Sequence, residues 1–155
     1  MDIMYISFKY PIWINRDIDF FKALDHNAKV IANTLIGQNV QIVGIGSSGD
    51  FVGALMFEKL LNLGMNVTLN IVQKPKVQHH HSHRIPDTLC KDCVTLLVDD
   101  FMATGSTLNN LFLDIKDRIN EENIAVYLVH NDSGTKRRFE ELLFNIKYPF
   151  ICTQD

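Results

Sequence analysis

The fifteen residues VTLLVDDFMATGSTL, numbers 94–108, decide the fold. They begin with a nearly apolar run, as expected for a central strand of a parallel sheet that is covered on both faces. Two carboxylates, Asp99 and Asp100, end the run, and a short loop rich in hydroxyl groups leads into helical periodicity from Ser106 onward. A buried strand, a polar loop and a helix in this order predict a βαβ unit.

The rest of the chain alternates short apolar runs with helical spacing, which predicts an α/β fold with a doubly wound, mainly parallel sheet. We predict one domain over residues 1–155, with a core at about 40–150 and a small hood made of about 1–17 and the tail 148–155. The first part of the tail, 148–152, could instead add an edge strand. The predicted strands span 40–46, 66–72, 93–98 and 123–129, and the predicted helices span 18–35, 50–63, 106–119 and a last segment ending near residue 145.

Length and composition are those of an ordinary globular domain. With 155 residues, 46% hydrophobic and 21% charged, the chain does not fit the disordered, collagen-like or low-complexity classes. Fifteen Lys and Arg against eighteen Asp and Glu give a net charge of −3, which argues against nucleic acid as the partner. No apolar stretch approaches the length that spans a bilayer, so no membrane partner is expected. Three cysteines do not make a disulfide framework, which favours the cytoplasm.

The loop and helix that follow the two carboxylates have the chemistry of a phosphate site. A helix start offers unpaired backbone N–H groups and the positive end of its dipole, and the TGST loop at 104–107 adds hydroxyl donors and a glycine that allows close approach. Asp99 and Asp100 would bind vicinal hydroxyls or a hydrated Mg²⁺. A phosphate beside a diol describes a ribose 5-phosphate. The competing interpretation is that Thr104 or Ser106 only caps the helix while one aspartate is a solvated turn residue.

The run VTLLVDDFMATGSTL resembles the phosphoribosyl-pyrophosphate (PRPP) motif of the type I phosphoribosyltransferases. The resemblance implies that Asp99 and Asp100 are the catalytic carboxylates, facing the ribose hydroxyls and holding Mg²⁺, directly or through water. Many purine salvage members carry a third aspartate before the Thr-Gly pair, whereas Ala103 here is closer to the adenine phosphoribosyltransferase version. The residues that the resemblance assigns to the 5-phosphate are Ala103, Thr104, Gly105, Ser106 and Thr107.

Two further segments match the places where this family binds pyrophosphate. The run GSSG follows the first core strand at the position of the pyrophosphate loop, and the usual Arg of that loop corresponds to Ser48. Backbone amides and serine hydroxyls would then hold the leaving group. The second segment, QKPK at 73–76, stands where family members open a mobile loop, and its lysines would neutralise charge on the leaving pyrophosphate. The competing interpretations are that Ser47 or Ser48 caps a helix in a glycine-rich turn, and that the two lysines are simply solvated. The residues assigned to pyrophosphate are Gly46, Ser47, Ser48, Gly49, Lys74 and Lys76.

The end of the fourth strand is where the family contacts the nucleobase. His130 and Asn131 would hydrogen-bond the edge of a purine or pyrimidine. The alternative is that Asp132 or Ser133 caps the last helix there.

A histidine-rich stretch precedes a Cys-x-x-Cys pair. The run HHHSH occupies 79–83, and Cys90 and Cys93 follow. These are ligand types of a zinc site, although a loop whose histidines meet substrate or solvent is the favoured interpretation. In that loop His79 or His83 would supply an acid or base near neutral pH.

The resemblance implies an enzyme that transfers ribose 5-phosphate from PRPP to a nucleobase, preferably a purine, with release of pyrophosphate. Its implied cofactor is Mg²⁺, its implied role is nucleotide salvage and its implied assembly is a homodimer. The alternative function is a non-catalytic protein of the same fold that senses PRPP or a nucleotide, which Ser48 and the missing third aspartate favour.

Overall fold

The computed structural model describes residues 18–72, 85–130 and 133–151. Its five strands form one all-parallel sheet in the order β2-β1-β3-β4-β5, which confirms the predicted fold class. In these residues no helix is long and apolar enough to cross a membrane. The strands are β1 (Val40–Ile45), β2 (Val67–Val72), β3 (Val94–Asp99), β4 (Ile124–Leu128) and β5 (Tyr148–Ile151).

Helices cover both faces of the sheet. The helices are α1 (Ile18–Thr34), α2 (Gly46–Asn62), α3 (Ser106–Ile115) and α4 (Thr135–Glu140), and a short 3-10 turn spans Lys116–Arg118. The first two share one buried cluster, whereas α3 packs in a second cluster on the opposite face together with Phe139 of α4. Two helices end earlier than predicted. Helix α3 ends at Ile115 instead of residue 119 and is followed by the 3-10 turn, and α4 ends at Glu140 instead of near residue 145.

Strand β3 is the centre of this double-sided core. Leu96 and Val98 contribute to the cluster under α1 and α2, whereas Leu97 contributes to the cluster under α3, and all three are fully buried. This is the packing that a continuous apolar run predicts for a parallel strand covered on both faces. The inward face of α1 is buried from Leu24 onward, whereas Phe21 near the start of the helix is 47% exposed.

Residues 148–151 of the tail that we assigned to a hood form an edge strand of the main sheet. Strand β5 runs parallel to β4 at the edge of the sheet, with Ile151 opposite Leu128, so the edge-strand alternative is the one observed. Alternating half-buried side chains at Tyr148 and Phe150 pack against the cluster under α1 and α2, which explains the pairing. The other predicted hood segments, 1–17 and 152–155, lie outside the described residues.

The strand order creates one topological switch point. From β1 the chain crosses to β2 on one side, and β3 then returns to the other side of β1. The segments after β1 and β3 therefore lead to helices on opposite faces, which leaves a crevice at their carboxyl ends where ligands of such sheets bind. The GSSG run follows β1 and the Asp-Asp pair ends β3, so both predicted segments lie at this crevice.

Candidate active site

The chain turns from β1 into α2 at one glycine. Gly46 has a φ of 67°, a left-handed conformation that only glycine adopts without strain. The turn is complete in that residue, so α2 begins at Gly46 and not near residue 50 as predicted. The segment 46–49 is consequently the first turn of a helix, where backbone N–H groups have no partner within the helix. Ser48 is half-buried there, and the side chain of Ser47 lies outside the described part of the structure.

Gly49 brings this first turn of α2 into contact with the end of β3. A Cβ added at Gly49 would lie 2.7 Å from the carbonyl oxygen of Val98 and 3.5 Å from Oδ1 of Asp99. The absence of a side chain therefore permits direct packing of helix backbone on strand backbone. This contact joins the predicted pyrophosphate turn to the first predicted catalytic carboxylate.

We expect Gly49→Ala to destabilise the fold by about 2 kcal/mol, because overpacking a site typically costs about 1–3 kcal/mol. The new methyl group would meet a backbone oxygen that no side-chain rotation can move. Urea denaturation of both proteins measures the change.

Gly53→Ala is the matched control in the same helix. A Cβ at Gly53 would meet Cγ2 of Ile42 at 3.5 Å, an ordinary contact, so this variant should keep or gain up to about 1 kcal/mol of stability. Equal stability of the two alanine variants would contradict the close approach at Gly49.

The two carboxylates at the end of β3 are held in place by neighbouring backbone groups. Oδ1 of Asp99 accepts the N–H of Asp100 at 2.9 Å, and Oδ1 of Asp100 accepts the N–H of Phe101 at 2.9 Å. Their carbonyl oxygens accept the N–H groups of Val129 at 3.4 Å and His130 at 2.9 Å. These hydrogen bonds orient the two carboxylates. Because both aspartates are only half-buried, they remain accessible from the crevice.

The TGST loop begins α3 through a second left-handed glycine. Gly105 has a φ of 79°, and a Cβ there would lie 2.9 Å from Cδ2 of Leu142. The Thr104 hydroxyl donates to Oγ of Ser106 at 2.9 Å and accepts the Ser106 N–H at 3.3 Å. The N-cap of α3 is Gly105 and no side chain caps this helix, so the interpretation that Thr104 or Ser106 only caps it was wrong. The contacts of Thr104 hold two hydroxyls beside the first amides of α3 on an exposed loop, together with exposed Ala103 and half-buried Thr107.

The segment after β4 lies beside the carboxylates. The ring of His130 is tilted by 48° to that of Phe101, with 5.8 Å between centroids, and the guanidinium carbon of Arg138 lies 5.9 Å from the Phe101 centroid. Sequence reasoning did not single out Phe101 or Arg138. For Phe101 the available signal was its place directly after the Asp-Asp pair, whereas Arg138 reaches it only through the fold.

The structure tests only some of the remaining predicted site residues, because several lie outside the described ranges. The N-cap of α4 is Gly134 and no described side chain caps this helix, so the alternative in which Ser133 caps it was wrong. Asn131, Asp132, Lys74, Lys76 and the histidines at 79–83 lie outside the described residues. Within the described ranges, no group of three or more His, Cys, Asp or Glu side chains could hold a metal ion, and zinc stays untested because the histidines are not among them.

Comparison with known proteins gives matches at the level of structure. No family model matches the sequence, and no curated protein is significantly similar to it. A hypoxanthine-guanine phosphoribosyltransferase of L. donovani superposes with a TM-score of 0.63 at 17% identity, over 85% of this chain and 76% of that one. The chain has the type I phosphoribosyltransferase fold.

Two other solved structures support the same assignment of the fold. The hypoxanthine phosphoribosyltransferase of Trypanosoma cruzi, in complex with its product IMP, has a TM-score of 0.63 at 14% identity, over 84% of this chain and 74% of that one. A hypoxanthine-guanine phosphoribosyltransferase of Bacillus anthracis has a TM-score of 0.60 at 15% identity, over 88% of this chain and 78% of that one. These matches concern hypoxanthine enzymes and do not bear out the adenine version suggested by Ala103.

Proposed function

We propose that the protein is an enzyme that transfers ribose 5-phosphate from PRPP to a purine base and releases pyrophosphate. The observation that carries the proposal is the contact of Gly49 with the end of β3, where a Cβ would lie 3.5 Å from Oδ1 of Asp99. It places a helix N-terminus beside a fixed carboxylate pair, and the TGST loop follows that pair along the chain. PRPP carries a pyrophosphate, a diol and a phosphate, one group for each of these three elements.

Each element has a distinct task in the proposed reaction. The bond from C1 of the ribose to pyrophosphate breaks as a nitrogen of the base approaches, and positive charge develops at C1. Asp99 and Asp100 bind the ribose hydroxyls and place negative charge near that centre. The first turn of α2 accepts the departing pyrophosphate, and the loop at 104–107 anchors the 5-phosphate, so positioning and charge stabilisation supply the catalysis.

The chemistry of the donor set fits Mg²⁺ bound mainly through the substrate. Two adjacent carboxylates are few ligands for a closed protein site, but Mg²⁺ commonly takes one or two carboxylates, keeps several waters and binds substrate phosphates. Asp99 and Asp100 would hold the ion, directly or through water. When bound, it neutralises charge on the pyrophosphate.

Phosphate binding in this proposal depends on amides and hydroxyls more than on cations. The segments 46–49 and 104–107 contain no Lys or Arg, and Ser48 stands where the family has Arg. Lys74 and Lys76 are proposed to supply the missing positive charge to the leaving group.

The nucleobase is proposed to bind beside Phe101 and His130. A 40% exposed aromatic ring next to the carboxylates offers a stacking surface, and the imidazole beside it, with Asn131, offers hydrogen-bonding groups to the edge of a base. The adenine-like motif with Ala103 and the hypoxanthine enzymes among the similar structures point to different purines. A role in purine salvage, a homodimeric state and a cytoplasmic location complete the proposal.

One observation favours a second function, which is sensing of PRPP or a nucleotide without turnover. The position before Thr104 carries an exposed alanine, so the loop lacks the carboxylate that acts toward the base in many purine enzymes. Binding of ligand would then regulate a partner.

An assay of pyrophosphate release separates the two functions. The protein is incubated with PRPP and Mg²⁺ and with adenine, hypoxanthine, guanine or no base, and nucleotide formation is followed by chromatography. We expect base-dependent release of pyrophosphate with one purine, together with an equal amount of nucleoside monophosphate. Calorimetric binding of PRPP without turnover for any base would overturn the enzymatic proposal in favour of sensing.

A further inference from the structure

A pair of cysteines lies at the end of β3 remote from the candidate active site. Cys90 and Cys93 flank a two-residue turn just before the strand, and their Sγ atoms are 2.8 Å apart. Both residues are half-buried, so small reagents reach them. With about 3.3 Å of strand rise per residue, Cys93 lies roughly 20 Å from Asp99. The proposed transfer reaction makes no use of either thiol.

A buried amide holds this turn in place. Gln41 of β1 is fully buried, and its Nε2 donates to the carbonyl oxygen of Cys90 at 2.8 Å and to Oγ1 of Thr95 at 2.9 Å. The N–H of Cys90 donates in return to Oε1 of Gln41 at 2.9 Å. The backbone N–H and C=O of Cys90 are thereby both bonded to one side-chain amide of β1.

The second cysteine is positioned by β3 itself. Val94, which follows Cys93, donates its N–H to the carbonyl oxygen of Asn39 at 2.8 Å and begins the pairing with β1. Both ends of the turn, Cys90 and the residue that follows Cys93, are therefore held against the start of β1 through contacts that involve neither sulfur. The fold brings the two thiols together before any bond forms between them.

We propose that Cys90 and Cys93 are a redox-active dithiol that forms an intramolecular disulfide by exchange with small disulfides. One cysteine thiolate attacks a sulfur of the external disulfide, which forms a mixed disulfide and releases one external thiol. The other cysteine then attacks its neighbour's sulfur, releases the second external thiol and closes the Cys90–Cys93 bond. The two protein thiols lose two electrons and two protons, and the external disulfide gains them as two thiols.

The electrostatic environment makes this exchange dependent on pH. Burial, the hydrogen bond with Cys90 and the nearby charges of Cys90 and Asp92 raise the pKa of Cys93 to about 11. Because the thiolate is the attacking form, exchange should accelerate as the pH rises from neutral towards that value.

The test uses the full chain with Cys152→Ser, which leaves the pair as its only cysteines. The reduced protein is equilibrated with mixtures of reduced and oxidised glutathione, quenched with acid, alkylated and weighed by mass spectrometry. We expect both thiols to disappear together, without a glutathione adduct and without dimerisation. The effective concentration of the pair should be about tenfold or more higher in the folded protein than in the protein unfolded in urea, because the fold pre-positions the thiols.

Single replacements provide the matched controls. In Cys90→Ser and in Cys93→Ser, each combined with Cys152→Ser, the remaining thiol should end as a glutathione adduct because its partner is missing. Stable adducts on the intact pair, intermolecular disulfides, or an effective concentration equal to that of the unfolded chain would each overturn the proposal. Stoichiometric zinc that protects both thiols until a chelator is added would also overturn it. None of these readouts depends on phosphoribosyl transfer.

Discussion

Asp99→Asn is expected to lower kcat/KM for phosphoribosyl transfer by about 100-fold. In the proposed complex this carboxylate binds ribose hydroxyls beside a centre that becomes positive, and hydrogen bonds to charged groups contribute about 1.5–3 kcal/mol each. A loss of about 3 kcal/mol corresponds to about two powers of ten in rate. Oδ1 of Asp99 also accepts the N–H of Asp100, and an asparagine keeps an oxygen for that bond. The substitution therefore removes charge while preserving the turn.

Steady-state kinetics with the purine found by the panel measure this effect, and thermal denaturation verifies the fold of the variant. Asp117→Asn is the matched control, because it removes the same charge from an exposed position in the 3-10 turn after α3. Its kcat/KM should equal that of the wild type. A folded Asp99→Asn protein that retains more than half of the wild-type kcat/KM would contradict the placement of the ribose at the end of β3.

The central part of the fold could be predicted because its signals are local. The apolar run before Asp99 predicts a strand covered on both faces, and the structure has it between β1 and β4 with helices on both sides. The start of α2 could not be predicted in the same way. It depends on the positive φ of Gly46, and a glycine-rich run does not reveal which of its glycines takes that conformation.

The candidate site shows the same division between local and distant effects. Its carboxylates and its TGST loop are contiguous in sequence, so the sequence alone was enough to predict their chemistry. The approach of Gly49 to Val98 and the position of Arg138 over Phe101 depend on segments that meet only through the sheet. Gln41 is the clearest such case, since a glutamine inside an apolar strand carries no sign that its partner lies 49 residues further along the chain.

Gln41→Ala is expected to lower the free energy of unfolding by about 3 kcal/mol, the largest stability effect we predict. The variant loses two hydrogen bonds to the backbone of Cys90 and one to the fully buried Thr95, and each buried group left without a partner costs about 1–3 kcal/mol. Urea denaturation under reducing conditions measures the change without interference from the cysteine pair. Thr34→Ala is the control, because it removes an exposed hydrogen bond to the carbonyl oxygen of Val30 and should change stability by less than about 0.5 kcal/mol. Equal stability of the two variants would show that the turn before β3 is held by the sheet alone, and that the buried amide does not position Cys90.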